Sequence, residues 1–232
     1  MDAFVTHSRS IPIALFTSQD IRDRASLFTA SIYSVASPSS YKSLINYLKS
    51  ANKSSANPAS HVISALRCMA LKPKHTGLNG PDDFVLQTEN DDDDEKWGSQ
   101  RILSVMQAEG IIDAVVVVKR WYGGIMLGPA RFTHVETCTR EVCRLFKKKE
   151  ELDGCIASIL NLDGILEGLR DELAQFTGTK STTKKQGYDE WTVEDLPKAR
   201  QIVVAREKAI SSLKAVIDKR KQEQQYVISV SD

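Results

Sequence analysis

Between Asp113 and Arg131 the chain reads DAVVVVKRWYGGIMLGPAR, and most of the chemistry sits in its second half. Arg120 and Arg131 each offer N–H donors in a planar fork, which suits a carboxylate or a phosphate. Trp121 and Tyr122 add flat apolar faces, fit for stacking on a base or anchoring a protein partner. Gly123, Gly124 and Gly128, with Leu127 among them, let the backbone turn where a Cβ would resist. Basic and aromatic groups on a glycine turn are suited to binding. Two readings of the turn stand side by side. In one it is a working surface for RNA or protein; in the other the aromatics are core and Arg120 pairs with acidic residues upstream.

Those acidic residues are the run Asp91 to Glu95. Its oxygens would suit a hard cation, but the alternating spacing of a calcium loop is missing. A solvated loop is the plainer reading, with Asp93 or Glu95 as the carboxylate at the start of the helix that follows Trp97. His61 and Arg67 are six residues apart on a strand, so both face the side of Ile63 and Ala65. Either His61 is a buried, hydrogen-bonded histidine, or it shares a functional surface with Arg67, Asp92, Asp93, Glu95 and the glycine turn. There is no GxSxG elbow, phosphate loop with lysine, HExxH or convincing Cys–His pair, so no catalytic residue, metal or cofactor is assigned. An enzyme built on His61 and the acidic turn stays as a third reading.

The elements that must hold these groups alternate. Ala25–Val35 has Phe28, Ala30 and Ile32 on one face and reads as a half-buried strand. Ser39–Lys49 reads as an amphipathic helix after Pro38, His61–Leu71 as a strand, and Trp97–Ala108 as a helix. Ala114–Val118 is a continuous apolar run of five, suited to a strand covered on both faces. Pro129 opens a helix from about Ala130 to Lys147. Lys72–Lys96 is the least ordered-looking part. Beyond Lys149 the pattern is helical: a leucine-rich helix over Ile156–Phe176, a polar stretch, and a second long helix from Thr192 or Pro197 to about Gln225. The segments 162–173 and 206–217 are weakly alike, and the expectation is an antiparallel αα-hairpin.

Four blocks together resemble the Impact family: DRASLFTASIYSV, ASHVISALR, DDDDEKWGSQRILSVM and RWYGGIMLGPARF, in that order over roughly residues 15–148. Departures are Asp94 where the family usually has glycine, Ser99 and Gln100 in place of a glycine pair, Ala130 in place of an acid, and Leu66 in place of tyrosine. The resemblance implies an α+β fold: a small mixed sheet with helices on one face, of the left-handed βαβ class shared with a small-ribosomal-subunit protein, followed by an α-helical extension. The division expected is residues 1–18 as an N-terminal segment, 19–149 as the Impact-type domain, and 150–232 as the extension with a linker at 177–190. It also implies a cytoplasmic regulator of translation in the stress response and not an enzyme. Such a regulator opposes the amino-acid-starvation kinase by competing for that kinase's ribosome-associated activator, with a link to actin. Because the match begins near residue 20, the N-terminal RWD-type domain found in better-studied members is expected to be missing.

Composition sets the outer bounds. The chain has 232 residues, 41% hydrophobic and 26% charged, with a net charge of +1. That is ordinary for a globular protein and argues against bulk attraction to nucleic acid, although a local basic patch would still bind RNA or the ribosome. No apolar run is long enough to span a membrane, and no secretory signal is read. The four cysteines form no CxxC pair and read as reduced, mostly buried thiols.

Overall fold

The computed structural model describes residues 12–35, 37–178 and 187–231. Most of the expected N-terminal segment and of the expected linker lies outside them. Two short strands, β1 (Phe16–Thr17) and β2 (Ile21–Asp23), precede β3 (Ser26–Ser34). Then come α1 (Pro38–Lys53), β4 (His61–Leu71), β5 (Phe84–Asp91), α2 (Gly98–Ala108), β6 (Ala114–Trp121), α3 (Ala130–Thr177) and α4 (Leu196–Ser231). The chain divides into two compact units, Met1–Lys147 and Lys148–Asp232.

The first unit is α+β, as expected. Its sheet runs β1-β3-β6-β4-β5, with β2 also paired to β3, and every pairing is antiparallel. Alternation along β4 and β6 sorts the core into two layers. Ile63, Ala65, Val116 and Val118 meet Ile102 and Met106 of α2 and Val135, Cys138 and Val142 of α3. Val62, Leu66, Val115 and Val117 meet Tyr41, Leu44, Ile45 and Leu48 of α1 on the other side. Helices therefore pack on both faces, not one. The apolar run at Ala114–Val118 demands it, since a strand with no polar side must be covered twice.

The topology also fixes a handedness. β3 and β4 are parallel with β6 between them, joined through α1; β5 and β6 are parallel with β4 between them, joined through α2. Rotating the sheet by half a turn in its own plane superimposes one crossover on the other. Their helices nevertheless lie on opposite faces. One of the two must be left-handed, against the strong right-handed preference of such connections. The left-handed class implied by the resemblance is thus built into the strand order.

Three element readings change. Lys72–Lys96 is not loose: it contains β5, an edge strand whose mixed composition (FVLQTEND) hides a period-2 pattern. The helix after Pro129 does not stop near Lys147 but continues to Thr177. The two long helices of the second unit run parallel, not antiparallel. Arg200 pairs with Glu151, Arg206 with Asp163 and Lys221 with Glu172, so both chains advance in the same direction. Leu152, Ile159 and Leu166 are buried at seven-residue spacing on α3, as are Leu196, Ile210 and Ile217 on α4, with Val203 half-buried between them. This is the seam of a two-stranded coiled coil. Leu196 shares a core with Leu152, so α4 begins beside Leu152 of α3.

Candidate functional site

Arg120 follows Ala114, Val116 and Val118 onto the face covered by α2 and α3. Register places His61 of β4 directly beside it on one flank and Phe28 of β3 on the other. Glu95 reaches this row from the turn between β5 and α2. Arg120 Nη1 donates to Glu95 Oε2, Arg131 Nε lies 2.7 Å from Oε1, and His61 Nε2 lies 3.5 Å from Oε2. Glu95 and Arg120 are each only 5% exposed, so this pair is part of the interior. The Arg120 guanidinium carbon sits 5.4 Å from the Phe28 ring centre and 5.5 Å from that of Tyr122. Arg120 is thus buried, ion-paired and flanked by two rings.

The acidic turn is a built element. Asp93, Asp94 and Trp97 all have positive φ, at 46°, 66° and 73°. At 66°, Asp94 occupies a region that glycine enters without strain. The carboxylate at the start of α2 is Asp92, not Asp93 or Glu95. It accepts from Ser99 N at 2.8 Å, Ser99 Oγ at 2.6 Å and Trp97 N at 3.1 Å. Burial alone would raise the Asp92 pKa, but the bonds from Ser99 and Trp97 outweigh it and hold the carboxyl below its ordinary value. Asp93 accepts from Val62 N at 2.7 Å and pairs with Lys49 at 2.7 Å. Burial again opposes ionisation there, and Lys49, Val62 and His61 together overcome it, so Asp93 also lies low. His61 Nδ1 donates to the Asp93 carbonyl at 2.8 Å, which fixes the ring. Among the described residues no group of three or more His, Cys, Asp and Glu is arranged to hold a metal ion.

The glycine turn is tied down at several points. Ser60 N donates to Arg120 O at 2.7 Å, Tyr122 N to Ser60 Oγ at 3.0 Å, and Gly123 N to Ser26 Oγ at 3.2 Å. A Cβ on Gly123 would lie 2.1 Å from the Ala25 carbonyl carbon. Gly124 and Gly128 have φ of 82° and 58°. Trp121 points away from Arg120 and donates its Nε1–H to Asn57 O at 3.1 Å. Leu127 is buried in the core, while Tyr122, Ile125 and Met126 are 47%, 52% and 78% exposed.

Of the candidate residues, His61, Asp93, Glu95, Arg120, Tyr122 and Arg131 gather at one corner, with Asp92 anchoring the turn that delivers Glu95. Arg67 does not join them. It lies at the far end of β4 and donates to Met106 O at 3.0 Å and Ile111 O at 2.8 Å, closing the C-terminal end of α2. Beside the gathered residues opens a cleft of about 370 Å³, lined by His61, Glu95, Arg120, Tyr122, Met126 and Arg131 and rimmed by Asp94 and Lys96. Sequence reasoning missed Lys96 and Met126, which stand next to singled-out residues. It also missed Ser60, whose hydroxyl holds the turn together with that of Ser26, a matched residue of the first block.

Residues 24–143 match the Impact N-terminal domain family. Protein IMPACT of Xenopus laevis is 40% identical over 124 residues, covering 53% of this chain and 36% of that protein. Protein IMPACT of Homo sapiens is 36% identical over 122 residues, covering 53% and 34%. The chain therefore spans about a third of the length of the curated relatives it matches. Among solved structures, the two-domain translational regulator Yih1 is similar at 28% identity and a TM-score of 0.36, covering 61% of this chain and 52% of that one.

Proposed function

The chain belongs to the Impact N-terminal domain family, and from that premise we propose that it regulates translation by binding a protein of the translation-control machinery. In this reading it is a negative modulator of the amino-acid-starvation kinase pathway. It occupies the kinase's ribosome-associated activator and so limits phosphorylation of initiation factor 2, with actin as a second candidate partner. The supporting observation is convergence: all four sequence blocks send residues to the corner around Glu95. Ser26 and Phe28 come from the first, His61 from the second, Glu95 from the third, and Arg120 and Arg131 from the fourth. No fold needs three aliphatic and aromatic side chains left in water on the turn beside them, and exposed apolar groups of this kind favour a protein partner.

The competing reading is direct RNA or ribosome association. It is weakened because the exposed Asp94 lines the same cleft as Arg131. Its signature would be a steep loss of binding with salt. The test is capture from cytoplasm, with and without RNase, by the wild-type chain and an Arg131→Gln/Met126→Ser variant, alongside initiation-factor-2 phosphorylation in starved cells. The expected result is RNase-resistant capture of the activator, lost in the variant, with phosphorylation lowered by the wild type only. Capture that vanishes with RNase, or phosphorylation indifferent to the protein, would overturn the proposal.

A further inference from the structure

We propose that the cleft beside the glycine turn receives an extended segment of a partner protein that presents one carboxylate next to a bulky apolar side chain. This rests on reading the corner as a protein-binding surface and adds the chemistry that the surface selects. The charges in the cleft do not cancel. Arg120, Arg131 and Lys96 face Glu95 and Asp94, and Glu95 has both oxygens engaged, one by Arg131 and the other by Arg120. Arg131 Nε lies 2.7 Å from Glu95 Oε1 as an ion pair and makes no hydrogen bond among the described residues; its side chain is 28% exposed and has no second carboxylate there. Lys96 is placed only over the Trp97 ring, 5.9 Å from its centre. The buried Nε of Arg120 has no hydrogen-bond partner among the described residues. A single incoming carboxylate would meet guanidinium and ammonium donors already oriented by the buried Glu95, and hydrogen bonds of this kind are the strong ones.

The apolar half of the proposal comes from Tyr122, Ile125 and Met126. They project from a turn held by Ser26 and Ser60, so little ordering is left to be done on binding. Methionine suits a surface that adapts to one bulky apolar partner group. A nucleic-acid strand fits less well. Successive phosphates would repeat the repulsion from Asp94, which lines the same cleft, whereas one carboxylate flanked by neutral residues meets it once.

The test uses the full chain against a display library of random short peptides. The strongest peptide is then measured by fluorescence anisotropy, beside an oligouridylate of similar length. Enriched peptides are expected to carry Asp or Glu adjacent to Leu, Phe, Met or Trp. Replacing that acid by its amide, or making Arg131→Gln or Lys96→Gln in the protein, should weaken binding about tenfold. Met126→Ser should weaken it with all charges in place. Neither Arg131, Lys96 nor Met126 is buried, and circular dichroism confirms that each variant is folded. Enrichment without an acidic residue, no enrichment at all, or oligouridylate bound in preference to every peptide would each overturn the proposal. The translation reading fails separately. Peptides with the expected pattern combined with unchanged starvation signalling in Arg131→Gln cells would sink that reading and leave this one standing.

Discussion

Arg120 and Arg131 lie eleven residues apart and touch the same carboxylate, yet they are not equivalent. Removing Arg120 leaves Glu95 with its oxygens in the interior and one of its two guanidinium partners gone. Breaking a buried pair in this way costs about 3 kcal/mol or more. Arg131 is partly in water, and Arg131→Gln should cost about 1 kcal/mol. Urea unfolding of the two variants separates the cases; equal midpoints would refute the buried-pair account. The same comparison shows why Arg120→Ala is a poor probe of binding, and why Arg131, Lys96 and Met126 are the better ones. The low carboxyls of Asp92 and Asp93 carry a pH signature. Their folded pKa values lie below the unfolded value near 3.9, so each contributes stability that is complete above that value and is lost as pH falls through the folded pKa. The urea midpoint of the wild type should drop below about pH 4, and Asp92→Asn should flatten the fall. Burial pushes the Cys138 and Cys143 thiols up to about 11 and about 12. In the folded protein at pH 8, a thiol reagent should therefore modify the half-buried Cys155 first.

At the scale of elements, the glycine turn and the β2–β3 hairpin are one construction. Arg24 and Ala25 form a two-residue turn with φ of 44° and 65°, and Gly123 packs against the Ala25 backbone. Arg-Ala is a poor sequence for such a turn, which usually takes Asn-Gly, so contacts outside the hairpin must help hold it. Gly123→Ala would force backbone apart and should cost about 2 kcal/mol. An unchanged denaturation midpoint would show that the close approach is not fixed. In the second unit, the buried seam of α3 and α4 is interrupted by Arg206 and Asp163, paired at 2.6 Å. Polar pairs at such positions set register. Replacing both by leucine should leave helix content intact while allowing the two helices to shift. Cysteines introduced at Glu151 and Arg200, opposite each other in the wild type, report this by crosslinking less efficiently.

At the scale of the whole molecule, each unit has its own apolar core, one around the sheet and one around Leu152 and Ile159. Two cores of such different size should not melt as one. Calorimetry should show two transitions. Ile159→Ala should lower one of them by the 2–5 kcal/mol typical of a buried isoleucine, and leave untouched the transition that Ile63→Ala lowers. A single transition shifted by both variants would mean the units unfold together. None of the helices among the described residues is long and apolar enough to cross a membrane.

Most features set by local periodicity are legible in the linear chain. His61–Leu71 forms the strand read there, Ala114–Val118 is covered on both faces as an unbroken apolar run requires, and His61 shares a face with Ile63 and Ala65. Faces are legible because side-chain direction repeats every two residues in a strand whatever lies opposite. The edge strand β5 was not, because one of its faces meets water and its apolar residues are few. Which carboxylate meets which arginine is set by the fold. Glu95 reaches Arg120 across 25 residues, and any of the acids from Asp91 to Glu95 would have looked equally suitable in the linear chain. Nor could the sequence choose between parallel and antiparallel helices in the second unit. A seven-residue apolar repeat makes the same buried stripe read in either direction, so the pairs at Glu151, Asp163 and Glu172 decide it.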